Sequence, residues 1–442
     1  MRSKEIARCL LILGLSFVLT SSVHARTEGN HDDGDCKDSD HHKHNAKTPV
    51  GLVGVIPVPG NPIISADIAW VDPGTERYYF ADRSNSGVDI IDAERNVWVG
   101  RVPGMAGPLT SGGGTTTTNG PGPNGVLVTP NRKLWAGDGN STVRIADVDP
   151  DSTGYLQIIQ SVSTSIPACD NDTAHYCGRA DELGYDPRDK IILVANNAPL
   201  SVAAPHAAID PYATFISAAP PYNVLGHITF VGAGGLEQPL WDPEIRRFFL
   251  TVPGKITGSM IVTLPSVAVI NPITMNAEKS YAINCQSVAG VASVSTTGIA
   301  LGAFQHLLVS ACGLPIILNA LNGHVINVIK QVGGGDEVWY NSGDGRFYVT
   351  GLNTATTPVQ SLGVIDAETN SWLQNVPDVR GKNPAAFAEN NEIFTIVQIT
   401  AAMVAAPTTD NSTCSLFGFK GTGCIAVFSH ADKDDDNNGD DR

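Results

Sequence analysis

ADIAWVDPGTERYYFAD, residues 66–82, is an apolar strand, a polar turn and a second strand rich in aromatic residues. The phrase returns as PNGVLVTPNRKLWAGD (123–138), ADELGYDPRDKIILVAN (180–196) and LEQPLWDPEIRRFFLTV (236–252). Fainter copies lie at 297–311, 335–351 and 382–397. Two further strands usually follow, as in GVDIIDAERNVWVGRV (87–102) and SLGVIDAETNSWLQNV (361–376), which share one Asp-Ala-Glu turn. β-Branched and aromatic residues suit pleated, half-buried surfaces, and no amphipathic helix alternates with these strands. The pattern therefore predicts an all-β fold, a seven-bladed β-propeller of four-stranded blades. GLVGVIPVPG (51–60) resembles VWVGRVPG (97–104), the outer strand of the first blade, while the last copy stops one strand short at CIAVFSH (424–430). The N-terminal strand is expected to complete the last blade, so that the ring closes without a free edge.

Composition agrees with many short strands. Gly (45) and Pro (28) punctuate a chain of 442 residues that is 42% hydrophobic and 16% charged. The net charge is −16 with no basic stripe, which argues against nucleic-acid binding through phosphate neutralisation. Outside the repeats, Arg2, Lys4 and Arg8 precede the apolar run CLLILGLSFVL (9–19) and the small-residue site Val23-His24-Ala25. Residues 1–25 read as a secretory signal peptide, 26–48 as a disordered His/Asp-rich linker, 49–430 as the propeller and 431–442 as an acidic disordered tail. The expected destination is the periplasm or the outside of the cell, without a membrane span and as a monomer.

Export makes disulfides an expectation, since oxidising compartments preserve them. Cys169–Cys177, Cys414–Cys424 and Cys285–Cys312 form the simplest local pairing, leaving Cys36 in the linker. His31, His41, His42 and His44 beside Cys36 read either as a solvated linker or as a scavenger of soft metal ions.

The functional expectation comes from aligning the copies on their turn. Five residues before it stand Asp67, Asn124, Asp181, Glu237, Thr297, Asp336 and Asn383, with Glu182 and Glu337 immediately after two of them. Acidic residues are 44 of 442, so four acids in seven equivalent positions exceed the expectation of fewer than one. Inner strands line the axial channel of a propeller, which makes these positions one ring. Converging carboxylates repel unless protonated or neutralised, and an all-oxygen donor set suits calcium or magnesium as a divalent cation. Asp67, Asp181, Glu182 and Glu237 are the candidate metal ligands. The other reading of the same residues is structural: strand-start polar groups hydrogen-bond the amide groups of neighbouring blades. Asn124, Asn383, His175 and His206 are candidate ligand-binding residues, with Asp82, Asp138 and Asn196 expected near the rim.

Tyr348-Val349-Thr350-Gly351 and Gly363-Val364-Ile365-Asp366 resemble secreted propellers of the YVTN type. Glu237-Gln238-Pro239-Leu240-Trp241 and Pro123-Asn124-Gly125 are similar to the EGPxW and PNG phrases of gluconolactonase-type (senescence-marker) propellers. That second resemblance implies channel-facing Glu and Asn residues that hold a divalent cation and contact substrate. The chain departs from it in carrying the Glu phrase in its fourth copy and Gln238 in place of Gly. Two functions follow. One is a metal-assisted lactonase or hydrolase, with Asp336 or Glu337 as base. The alternative is a non-catalytic propeller that binds a small-molecule ligand, a metal or a protein at its rim.

Overall fold

Asp-initiated turns link successive strands within the blades. Asp92 Oδ1 accepts from the backbone N–H groups of Glu94 (3.2 Å) and Arg95 (3.0 Å), and Asp366 Oδ1 does the same for Glu368 (3.0 Å) and Thr369 (2.7 Å). Asp186 and Asp242 cap the turns after two inner strands in the same way. A carboxylate that satisfies its own turn amides fixes where the chain reverses, and so fixes strand register.

A computed structural model describes residues 48–108, 122–139, 141–166, 178–197 and 209–430. These residues form seven four-stranded antiparallel sheets arranged as the blades of a propeller. The inner strands are Ala69–Asp72, Val126–Thr129, Ala180–Asp186, Pro239–Asp242, Thr296–Leu301, Val338–Asn341 and Gly381–Phe387. In the first blade the order continues outward through Arg77–Asp82, Gly87–Asp92 and Val97–Pro103. The last sheet contains Gly381–Phe387, Glu392–Val397 and Cys424–His430, and its outer strand is Val50–Ile56 from the other end of the chain. Val50 lies opposite His430, and Ile56 opposite Ile425.

The core is divided among the blade interfaces. Seven separate apolar clusters each join two neighbouring blades, and one of them packs Tyr78 and Phe80 of the first blade against Phe394 and Ile396 of the last. Burial falls outward along each blade because the blades diverge from the axis. Ile191–Asn196 is buried throughout, whereas the outer strand Asn276–Ala282 is almost wholly exposed. One feature absent from the repeat is a two-stranded hairpin, Lys255–Thr257 with Met260–Thr263, inserted between the second and third strands of the fourth blade.

Among the described residues two disulfides are present, Cys285–Cys312 and Cys414–Cys424. The first lies in the cluster between the fourth and fifth blades, and the second ties the insertion before Cys424–His430 to that strand. The expected Cys169–Cys177 pair lies outside the described residues. No helix among the described residues is long and apolar enough to cross a membrane.

Removing Val50–Ile56 exposes the edge of Cys424–His430 and strips the last sheet of a quarter of its strands. The truncated protein should melt well below the full chain and aggregate, as read by thermal unfolding with light scattering; unchanged stability contradicts a closing role for this strand. Replacing Cys285 and Cys312 together by Ser frees a loop of sequence separation 27. The loss expected from chain entropy is about 3 kcal/mol, measurable by urea unfolding.

Candidate functional site

Each inner strand has one edge without a neighbouring strand, and that edge faces the axis. Its amide and carbonyl groups need partners, and the ring residues supply several. Asn124 Nδ2 donates to Ala180 O (2.8 Å), and Asn383 Oδ1 accepts from Glu337 N (3.2 Å). Gln238 Oε1 accepts from Ile299 N (2.7 Å), and Thr297 Oγ1 donates to Gly335 O (2.6 Å). These four positions do the structural work of joining adjacent blades. Close approach helps: a Cβ at Gly137 would lie 2.1 Å from Asp181 O, so only glycine permits this packing.

The carboxylates are balanced by protein cations that the repeat did not reveal. Arg83 Nη2 donates to Asp67 Oδ2 in a short ion pair, and to Asn124 Oδ1 (2.7 Å). Arg179 donates twice to Asp181 Oδ2, from Nε (3.0 Å) and Nη2 (2.8 Å). Lys382 Nζ stands 3.6 Å from Asp336 Oδ2 and 4.0 Å from Asp67 Oδ1. Burial works against the Arg179 charge, but Asp181, Asp67 and Glu237 outweigh it and raise the pKa of the guanidinium. Burial also pushes the Asp181 carboxyl up, and Arg179 offsets this only in part. Glu237 is pushed well up by burial and then by repulsion from Asp181 and Asp336.

Glu182 and Glu337 occupy a different environment. Their exposures are 3% and 1%, and both line a cavity of about 340 Å³ on the channel. Its walls are mainly apolar and aromatic, including Trp70, Tyr185, Trp241, Trp339 and Tyr340. Trp70 and Trp339 meet edge to face with ring centroids 5.6 Å apart. Glu337 Oε2 accepts from Ala69 N (2.9 Å), while Glu337 Oε1 and Glu182 Oε2 have no partner among the described residues. Burial, followed by the neighbouring carboxylates, raises both pKa values well above the usual range, so the fold favours the neutral acids.

The alternation of a regular strand would send Asp181 and Glu182 to opposite faces. The pairing of Ala180–Asp186 with Ile191–Asn196 instead shifts register between Ala180 and Leu183. A bulge there lets Asp181 serve the ring while Glu182 lines the cavity. The same irregularity brackets Thr297 and Asn383 in their strands.

Several expectations change on this geometry. Asp67, Asp181, Glu182 and Glu237 were expected to share a cation, but the described residues bring three acidic side chains within 4.8 Å only at Glu76, Glu94 and Glu389. That trio lies on exposed turns. Beside the ring acids, Arg83, Arg179 and Lys382 supply positive charge to Asp67, Asp181 and Asp336. Asp82, Asp138 and Asn196, expected at the rim, are buried and committed. Asp82 caps Asn85 N (3.1 Å), Asp138 accepts from Ala106 N (2.9 Å) and Arg144 Nε (3.0 Å), and Asn196 donates to Thr164 Oγ1 (2.7 Å). His175 and His206 lie outside the described residues. The aromatic wall was overlooked, although Tyr185, Trp241 and Tyr340 each stand four residues after a ring position.

No family model matches the chain, and no curated protein matches it. Similar solved structures are numerous, with 1281 matching chains, as befits a widespread architecture. One is a chain from a structure titled "Crystal Structure of Mitotic Checkpoint Complex". It has 10% sequence identity and a TM-score of 0.52, over 94% of this chain and 100% of that one. At this identity the likeness establishes the propeller fold and nothing finer.

The buried acids give the channel a pH signature. A carboxyl whose pKa is higher in the folded than in the unfolded state contributes stability below the ordinary carboxylate range. That contribution is lost as the pH rises through the raised value. Glu182→Gln mimics the neutral form, so its stability should fall less than that of the wild type between pH 5 and pH 8.5. Urea midpoints at the two pH values check this, and an equal or steeper fall in the variant contradicts it.

Proposed function

We propose that the protein is a non-catalytic propeller that binds a small molecule in its axial channel. The observation that carries this reading is the cavity of about 340 Å³ walled by Trp70, Tyr185, Trp241, Trp339 and Tyr340. Concave, mostly apolar sites with few polar groups are the usual form of small-molecule sites. The groups needed for hydrolysis are less well placed. Glu337 already spends one carboxyl oxygen on the Ala69 N–H. Asp336 has Lys382 Nζ 3.6 Å from its Oδ2, an ion pair that occupies this oxygen. Two disulfides suit assembly in an oxidising compartment, which favours export.

A second reading keeps the divalent cation and a lactonase-like activity. It is favoured by Glu237 and Asp336, ring carboxylates that repel each other, of which Asp336 has 41% of its side chain exposed. In that reading these two side chains would hold the ion, and the ion would supply charge that polarises a carbonyl oxygen.

The two readings separate experimentally. The neutral naphthalene dye Prodan should gain fluorescence on the wild-type protein with micromolar affinity. Leu240→Trp, which adds bulk to the cavity wall, should weaken it at least tenfold. Calcium should change neither result. Absence of dye binding to the wild type overturns the cavity reading, whereas calcium-dependent lactone or ester hydrolysis supports the cation reading.

A further inference from the structure

Among the described residues the axis gathers six carboxyl groups, on Asp67, Asp181, Glu182, Glu237, Asp336 and Glu337, against three cations, Arg83, Arg179 and Lys382. The cations pair with the ring acids Asp67, Asp181 and Asp336. Glu182 and Glu337 enter the aromatic cavity instead, where Glu182 Oε2 and Glu337 Oε1 are buried without a partner. A buried polar oxygen left unpaired keeps its full desolvation penalty unless something that enters the cavity satisfies it.

We infer that the cavity is built for an organic amine, held as its ammonium ion between Glu182 and Glu337 with its apolar body against Trp70, Trp241 and Trp339. The inference rests on the reading that the cavity takes a small molecule, and it adds the ligand's chemical class. Three features of an ammonium ligand match three features of the cavity. Its N–H donors suit the two carboxyl oxygens without partners. Its positive charge suits an axis with more carboxyl groups than cations, and the faces of tryptophan and tyrosine rings attract cations within a low-dielectric site. An anionic ligand would find no cationic side chain among the described residues of the cavity wall, and a purely apolar one would leave the two oxygens unsatisfied.

Binding has a proton balance. The ammonium enters with its own proton and replaces the carboxyl proton as the group that stabilises the site; that carboxyl proton leaves to the buffer. The charges facing Glu182 are Asp181, Glu237, Asp336 and Glu337. Those facing Glu337 are Glu182, Asp67, Asp336 and Lys382, with the neutral Tyr78 hydroxyl close by. Most are acidic and oppose ionisation of the pair in the free protein. An entering cation relieves that opposition.

The test compares 2-phenylethylamine with its neutral counterpart 2-phenylethanol on the full chain, by Prodan displacement and by calorimetry in phosphate and Tris at pH 7. The amine should bind at least tenfold more tightly than the alcohol. Its apparent enthalpy should differ between the buffers with the sign of proton release. Glu182→Gln and Glu337→Gln should each weaken the amine about tenfold or more and change the alcohol less than twofold. Because the alcohol reports an intact cavity, a variant that misfolds loses both ligands and is recognised; the single variant at the other site then decides. Equal affinity for amine and alcohol, or equal losses for both in a variant that still binds the alcohol, overturns the amine assignment. Prodan binding to the wild type without amine binding overturns this inference and leaves the cavity reading standing, whereas failure of all three probes removes both.

Discussion

Every inner strand of this propeller turns one unpaired edge toward the axis, and the rest of the channel is built around that fact. A sheet edge elsewhere in a protein is covered or solvated; here seven edges face one another across a confined space. The neighbouring blade's side chains are the nearest source of partners, which is why Asn124, Asn383 and Gln238 reach backbone groups of adjacent blades, while Glu337 reaches past the last blade to Ala69 of the first. The polar residues that begin the strands therefore have a structural reason to be there before any ligand is considered. Those acids beyond what the edges use carry the functional information.

Charge is distributed unevenly along the axis. At the ring, Arg83 and Arg179 form hydrogen-bonded ion pairs, and a buried charge is tolerable when a close partner offsets its lost hydration. Among the described residues no cation side chain lines the aromatic cavity, and Lys382 acts on Glu337 from outside that lining, so the two acids are favoured as neutral groups until a positive charge enters. The ring thus pairs three of its four acids with cations and leaves Glu237 without an ion pair, whereas no cation side chain lines the cavity among the described residues. This difference separates residues that hold the blades together from residues free to meet a ligand.

Much of the fold was legible because one phrase recurs. The turn carboxylates and the apolar strands around them give a period that no local irregularity obscures, and seven copies imply seven inter-blade clusters. The ring was legible for the same reason, since equivalent positions in a repeat converge in space. Its neutralisation was not. Arg83 follows a second strand, Arg179 stands two residues before a ring position, and Lys382 one residue before another, so no aligned column contains them. A charge balance made from three unrelated offsets leaves no periodic trace. Asp82, Asp138 and Asn196 misled in the opposite direction: the end of a second strand is near the rim, but it is also where loop amides and hydroxyls most need buried partners.

Consecutive acids posed a problem that periodicity alone could not solve. In an unbroken strand Asp181 and Glu182 face opposite ways, and only one would belong to the axis. The register shift between Ala180 and Leu183 removes that constraint at the one place where the strand leaves the ring and enters the cavity. A bulge costs ladder hydrogen bonds, and its position therefore carries meaning. Here it lets one short segment contribute an ion-paired carboxylate to the ring and a buried carboxyl to the aromatic cavity. Straightening it would return Glu182 to the interface between blades, where an acid has neither a cation nor a ligand to meet. The bulge is one of two routes to this split: Asp336 and Glu337 divide between ring and cavity just before Val338–Asn341, whose pairing has no register shift.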